Sequence, residues 1–182
     1  MSTLYMMVGI PASGKSTKTA ELIRKGAIAI SSDTIREEIF GDANITYTEK
    51  WLAEQGYDGS QDNSSKEFFA NARIFDIVYR KCSERLLAGK DVIIDSTSCN
   101  KKARQVALEN IKNADRRVCI VMAVSFRTCC IRNKMRDRVV PDDAMRRIAD
   151  HFEFPSVEEG FDKIIYIGNR EDIDYGKDNN HY

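Results

Sequence analysis

Gly9-Ile10-Pro11-Ala12-Ser13-Gly14-Lys15-Ser16-Thr17 decides how this chain is read. The stretch fits GxxxxGK[ST], a loop that cradles phosphate. Before it, Leu4-Tyr5-Met6-Met7-Val8 is a short apolar run suited to a buried strand. After it, Thr17 to Lys25 puts Ala20, Leu22 and Ile23 on an inner helical face and stops at Gly26. Gly9 and Gly14 let the backbone turn in conformations closed to residues with a Cβ. Successive N–H groups can then point inward as a nest for phosphate oxygens, with the positive end of the next helix behind them. Pro11, Ala12, Ser13 and Thr17 complete the loop. Lys15 is placed to reach the β- and γ-phosphates of ATP, and the Ser16 hydroxyl to ligate Mg²⁺. The competing reading, a glycine-rich turn that binds nothing, is disfavoured because motif and flanks agree.

Working outward, strands alternate with helices. Ala27 to Ile30 reads as a second buried strand and Thr34 to Phe40 as a short helix. Residues 41–63 mix turn formers with aromatics, with a short helix around Thr48 to Glu54. Such a segment is as compatible with a lid or substrate element as with a surface excursion. Ser64 and Glu67 form a capping box for a long helix. Its apolar face is expected from Phe68, Ala72, Phe75, Tyr79, Cys82 and Leu86. Asp91 to Ile94 is a third strand, and Lys101 to Asn113 a helix with Ala103, Val106, Ala107 and Ile111 inward. Val118 to Val124 is a fourth strand, followed by a helix over Phe126 to Arg136. Pro141 suits the first turn of another helix, with Met145, Ile148, Ala149 and Phe152 as its stripe. Lys163 to Ile167 is a fifth strand, and a polar, partly disordered tail is expected over 168–182. This order implies an α/β fold of three layers, a parallel sheet of about five strands, in one domain over 1–182.

Lys and Arg together number 28, as do Asp and Glu, so the formal net charge is zero. That argues against coating long DNA or RNA, though not against gripping one end of a strand. The five cysteines (Cys82, Cys99, Cys119, Cys129, Cys130) contain no CxxC pair. They read as reduced thiols of a cytoplasmic protein. The start is too short for a signal peptide, and no apolar run reaches the roughly 20 residues of a membrane span.

Three further features suggest chemistry. Asp33 and Arg36 lie three residues apart where a strand gives way to a helix. A carboxylate there can take the proton of an attacking hydroxyl, and the arginine can hold an anionic group. Spacing alone fits equally an N-cap aspartate followed by a surface arginine. Asp95 follows Val92-Ile93-Ile94 at the position that orients Mg²⁺ or its waters, with Thr97 and Asn100 within reach of a substrate phosphate. Arg132-Asn133-Lys134-Met135-Arg136-Asp137-Arg138 leads into Pro141. A lid over about 132–141 could bring arginines to a phosphoryl group and exclude water, whereas the plainer reading is a solvated basic helix face.

GIPASGKST (9–17), SSDTIR (31–36), VIIDST (92–97) and RNKMRDRVVP (132–141) together resemble the P-loop polynucleotide kinases of the bacteriophage type. Phe152-Glu153-Phe154-Pro155 and Glu159-Gly160-Phe161-Asp162 are similar to the same group. The resemblance implies a P-loop kinase fold with an arginine-bearing lid, and ATP and Mg²⁺ bound through Lys15 and Ser16. It implies Asp33 as general base toward a 5′-hydroxyl and Arg36 as a phosphate anchor. It implies Arg136 on the donor phosphates and the transition state; Arg132 is expected beside it, helping Lys15 and Arg136 neutralise charge on the phosphoryl oxygens. The expected partners are 5′-hydroxyl ends of DNA or RNA, in the cytoplasm (the host's, if phage-encoded). A homo-oligomer is compatible with the sequence. Asp172-Ile173-Asp174 is superficially similar to the acid motif of the 3′-phosphatase domain some members carry, but little chain follows it, so a kinase-only protein is expected. Residues 41–63 match nothing in the family. A kinase for a nucleoside, nucleotide or other small metabolite, and a nucleotide switch that transfers phosphate to water, are the rival readings.

Overall fold

The computed structural model describes residues 1–59, 65–137 and 139–176. Ser64, expected as a helix cap, and Arg138 of the basic run lie outside them. The elements in order are β1 (Thr3–Val8), α1 (Lys15–Arg24), β2 (Ile28–Ile30), α2 (Ser32–Phe40), α3 (Glu49–Glu54), α4 (Ser65–Leu87) and β3 (Val92–Ile94). Then come α5 (Lys101–Asn110), β4 (Arg116–Met122), α6 (Phe126–Asn133), α7 (Asp142–Asp150) and β5 (Lys163–Ile167). The strands form one parallel sheet in the order β2-β3-β1-β4-β5. The expected fold class is therefore the observed one.

Strand alternation divides the apolar residues between two cores. Leu4, Met6 and Val8 of β1 join Val92, Ile94 and Val121 on one face, beneath α4, α5 and α7. Met7, Ile93, Ile120 and Met122 meet Leu22 of α1 on the other. β1 lies at the centre because it is apolar on both faces, and this carries the glycine loop to the middle of the sheet's carboxyl edge. In open α/β sheets ligands bind at that edge, where the strand order reverses.

Two expected helical faces need correction. On α4 the buried stripe is Ala70, Ile74, Val78, Cys82 and Leu86, whereas Phe68 is 77 % exposed. The small and β-branched residues let the helix lie close on the sheet, and the bulkier aromatics flank the contact. On α5, Ala103 and Val106 are exposed, and the inner positions are Arg104, Ala107 and Leu108. The Arg104 side chain is fully buried because Glu159 accepts from its Nε and Nη2 at 2.7 and 2.8 Å. Its Nη1 donates to the carbonyls of Ser98, Cys99 and Glu153.

Residues 41–59 pack through Trp51 and Leu52, with Trp51 edge-on to Phe40 at 5.3 Å and Tyr57 against Phe69 at 5.3 Å. Residues 168–176 run back over the core, where Ile173 and Tyr175 are buried. No helix among the described residues is long and apolar enough to cross a membrane.

Candidate active site

The loop after β1 has the backbone its sequence demands. Gly14 adopts φ 100° at the head of α1, and Ala12 also has a positive φ, 61°. A Cβ on Gly9 would lie 2.6 Å from Ser13 Oγ, so only glycine fits there. α1 begins at Lys15, earlier than expected, so the N–H groups of its first turn open toward the loop's hollow. Lys15 Nζ folds back and donates to the Gly9 and Ile10 carbonyls at 2.7 and 3.0 Å. Burial lowers the Lys15 pKa, partly offset by the nearby Asp95 carboxylate. Ser13 Oγ is buried with no partner. A half-desolvated cation, an orphan hydroxyl and open N–H groups round one hollow are what an anion would satisfy.

A cavity of about 1150 Å³ surrounds this loop. Residues 11–17 line it, as do Asp33, Asp95, Thr97, Arg132 and Arg136. Gly9 forms the base of the loop, its N–H donating to the Thr97 carbonyl at 3.2 Å. The volume exceeds the usual range for one small ligand. Strand order gives the cavity two ends. On the β4–β5 side the lining is apolar, from Met122, Val124, Val140 and Ile167. On the β2–β3 side it is polar, from Ser31, Ser32, Asp33, Asp95, Ser96 and Thr97. Lys15 stands between.

Asp33 lies in the first turn of α2, but it is not the cap. Ser31 is, its Oγ accepting from the Thr34 N–H at 3.0 Å. The Asp33 side chain is left 62 % exposed at the cavity edge. Arg36 Nη1 donates to Asp33 Oδ1 at 3.1 Å and to Ser32 Oγ at 3.3 Å, while Nη2 donates to Asn71 Oδ1 at 2.7 Å. Asp95 follows β3, and its N–H donates to the Ile30 carbonyl. Burial raises its pKa, Lys15 opposes this, and Asp33 adds to it. Ser16 and Asp95 share one cavity and offer only oxygen, the donor set a hard Mg²⁺ ion takes while keeping several waters. Asn100 does not line this cavity. Its Oδ1 accepts from the Ala103 N–H at 2.7 Å and caps α5.

Arg132 and Arg136 are exposed and face the cavity from the end of α6 and the turn after it. The helix stops before Arg136, where a longer one was expected, because Asn133 closes the segment. Its buried amide bonds both the N–H and the carbonyl of Val140. The first turn of α6 is held by Ser125 Oγ, and its first N–H, that of Phe126, donates to Asp174 Oδ1 at 2.7 Å. Residues 168–176 therefore brace the helix that carries Arg132.

Of the sequence-predicted site residues, Arg36, Gly9 and Asn100 do not line this cavity, and Arg36 and Gly9 are bonded to residues that do. Asn71, Phe75 and Asn133 were not singled out. Only Phe75 carried a signal, an aromatic three and four residues from Ala72 and Tyr79 on the expected apolar stripe, and the sequence reads it as core rather than as a base-stacking platform. The cysteines sit apart from such roles: burial pushes the Cys82 and Cys119 thiols up to about 12 and those of Cys99 and Cys129 to about 11.

Sheet order, phosphate loop and arginine-bearing turn define a P-loop kinase fold. The chain belongs to the family described as AAA domain, whose model matches residues 4–155. Comparison with curated proteins finds no match. Among solved structures, the chain is similar to a putative kinase from Chloroflexus aurantiacus j-10-fl, at 16% identity and TM-score 0.62, over 91% of this chain and 84% of that one. It is similar to a sugar kinase from Janibacter sp. HTCC2649, at 14% identity and TM-score 0.59, over 94% and 88%. It is also similar to a chain of the Pnkp1/Rnl/Hen1 RNA repair complex, at 20% identity and TM-score 0.59, over 81% of this chain but 42% of that one. At these identities the likeness is one of fold.

Proposed function

We propose that this protein transfers the γ-phosphate of ATP to the 5′-hydroxyl end of a DNA or RNA strand. The observation that carries the reading is the placement of Asp33 and Lys15 on one cavity with separate ends. An ATP molecule lies with its base toward Val124, Val140 and Ile167 and its phosphates in the loop, where Lys15 exchanges its carbonyl partners for phosphate oxygens. Ser16 and, directly or through water, Asp95 would hold Mg²⁺, which would supply charge neutralisation on the phosphates. The acceptor enters on the β2–β3 side. Asp33 takes the proton of its hydroxyl, the oxygen bonds to the γ-phosphorus, and the bond to the β-phosphate oxygen breaks to release ADP. Arg132 and Arg136 close from the lid over about 132–141 and stabilise charge on the transferring group, a role worth roughly 10³–10⁵ in rate. Arg36 anchors a phosphate of the acceptor strand.

The RNA repair neighbour supports a nucleic-acid end as acceptor. The sugar kinase, which aligns over nearly its whole length, supports a second reading in which a small hydroxylated metabolite takes that place. The deciding experiment offers labelled ATP and Mg²⁺ with 5′-hydroxyl oligonucleotides of DNA and RNA, in parallel with sugars and nucleosides. Label on the oligonucleotides, lost in Asp33→Ala, is the expected result. Label only on a small acceptor replaces the first reading with the second.

A further inference from the structure

We propose that α4 builds the acceptor end of the cavity, with the Phe75 ring as the stacking surface for the terminal base of the acceptor and Asn71 as a positioning residue for Arg36. This rests on the kinase reading above and narrows it: the acceptor carries a nucleobase beside the hydroxyl that reacts.

α4 turns Ala70, Ile74 and Val78 into the core. Asn71 and Phe75 stand one turn apart on the adjacent shoulder, which faces α2. Asn71 Oδ1 receives Arg36 Nη2 at 2.7 Å, so this shoulder sets the guanidinium beside Asp33. Phe75 is half-buried and lines the cavity together with Ser31, Ser32 and Asp33. It is the aromatic ring in an otherwise polar wall. Tyr79 backs it, with ring centroids 5.8 Å apart. The donor's base has its own apolar strip across β1, at Val124, Val140 and Ile167, so the Phe75 ring is left for the other substrate. A flat hydrophobic ring next to a general base suits a planar base better than a sugar alone, whose hydroxyls it cannot satisfy.

The test compares a 5′-hydroxyl oligonucleotide with the same strand abasic at its terminal nucleotide, for the wild type, Phe75→Leu and Phe75→Trp. Stacking of one base on an aromatic ring corresponds to about 5- to 150-fold in affinity. The wild type and Phe75→Trp are expected to prefer the intact end by that factor in kcat/KM. Phe75→Leu should lose the preference with the KM for ATP unchanged. Asn71→Leu should raise the acceptor KM more than it lowers kcat, and Asn71→Asp, which keeps an acceptor oxygen for Arg36, should restore it. An equal preference in Phe75→Leu and wild type overturns the proposal while the kinase reading stands. A wild type that phosphorylates sugars and no oligonucleotide overturns both.

Discussion

Asn133 grips Val140 at both of its backbone groups: Nδ2 donates to the Val140 carbonyl at 2.7 Å, and the Val140 N–H donates to Oδ1 at 3.1 Å. The amide is fully buried, so both bonds are made away from water. They pinch off the turn that bears Arg136 and fix its two ends while its tip stays exposed. Asn133→Leu should leave the fold intact but loosen that turn, at about 1–3 kcal/mol for the backbone groups left unpaired. Turnover should fall at least tenfold, and ATP hydrolysis without acceptor should rise relative to transfer. A melting curve and the two rates measured together check this.

Lys15 and Asp33 should fail in different ways. Lys15→Ala removes a cation that already faces the phosphate hollow, so nucleotide binding and turnover should fall together. Asp33→Asn keeps the shape of the side chain and should leave ATP affinity within about twofold while transfer falls 10²–10⁴-fold, the usual span for a lost general base. Calorimetric ATP titration beside single-turnover transfer separates the two. Equal loss of ATP affinity in both variants removes the base assignment.

Asp95 gives a prediction about pH. Its folded pKa is raised above 3.8 by burial. Between those two values the folded chain binds the extra proton, so stability falls as pH rises through that window. At neutral pH the ionised carboxylate is thus a net cost to the ligand-free protein. Asp95→Asn should melt higher than wild type near neutral pH, with the difference shrinking toward the acid end. The same variant should lose Mg²⁺-dependent transfer. Lys15 has the opposite shift with the same consequence: its lowered pKa costs stability at neutral pH and is relieved as pH rises toward 10.5.

The Arg104–Glu159 pair predicts a structural effect. Both side chains are essentially unexposed, and Arg104 Nη1 also gathers the carbonyls that follow Thr97. Arg104→Met strands the Glu159 charge and should cost about 3–5 kcal/mol. Replacing both, Arg104→Met with Glu159→Leu, should recover much of that. Chemical denaturation of the two variants measures the difference, and equal losses would contradict it.

Much of this was legible because local chemistry was strong. β5 was read at its observed bounds because five apolar-rich residues stand between turn formers, and the phosphate loop because two glycines, a lysine and a serine admit few other uses. α4 was misread because Phe68 and Phe75 outrank Ala70 and Val78 in hydrophobicity, and sequence cannot see that close packing on a sheet favours the smaller pair. Arg104 went unremarked because its partner, Glu159, is distant in sequence. Asn71 and Asn133 bond across elements or across a turn, so nothing in their neighbours marks them.

The Asp33–Arg36 contact has a consequence for the enzyme at rest. Arg36 Nη1 already occupies Asp33 Oδ1, so on the proposed reading that oxygen is engaged before any acceptor arrives. An exposed pair of this kind is held by only about 0.2–1 kcal/mol. If the acceptor is a strand end as proposed, its phosphate would take Arg36 for itself and leave the carboxylate unoccupied as the hydroxyl arrives. On that reading the safety catch and the trigger would be the same side chain, released by the substrate it waits for.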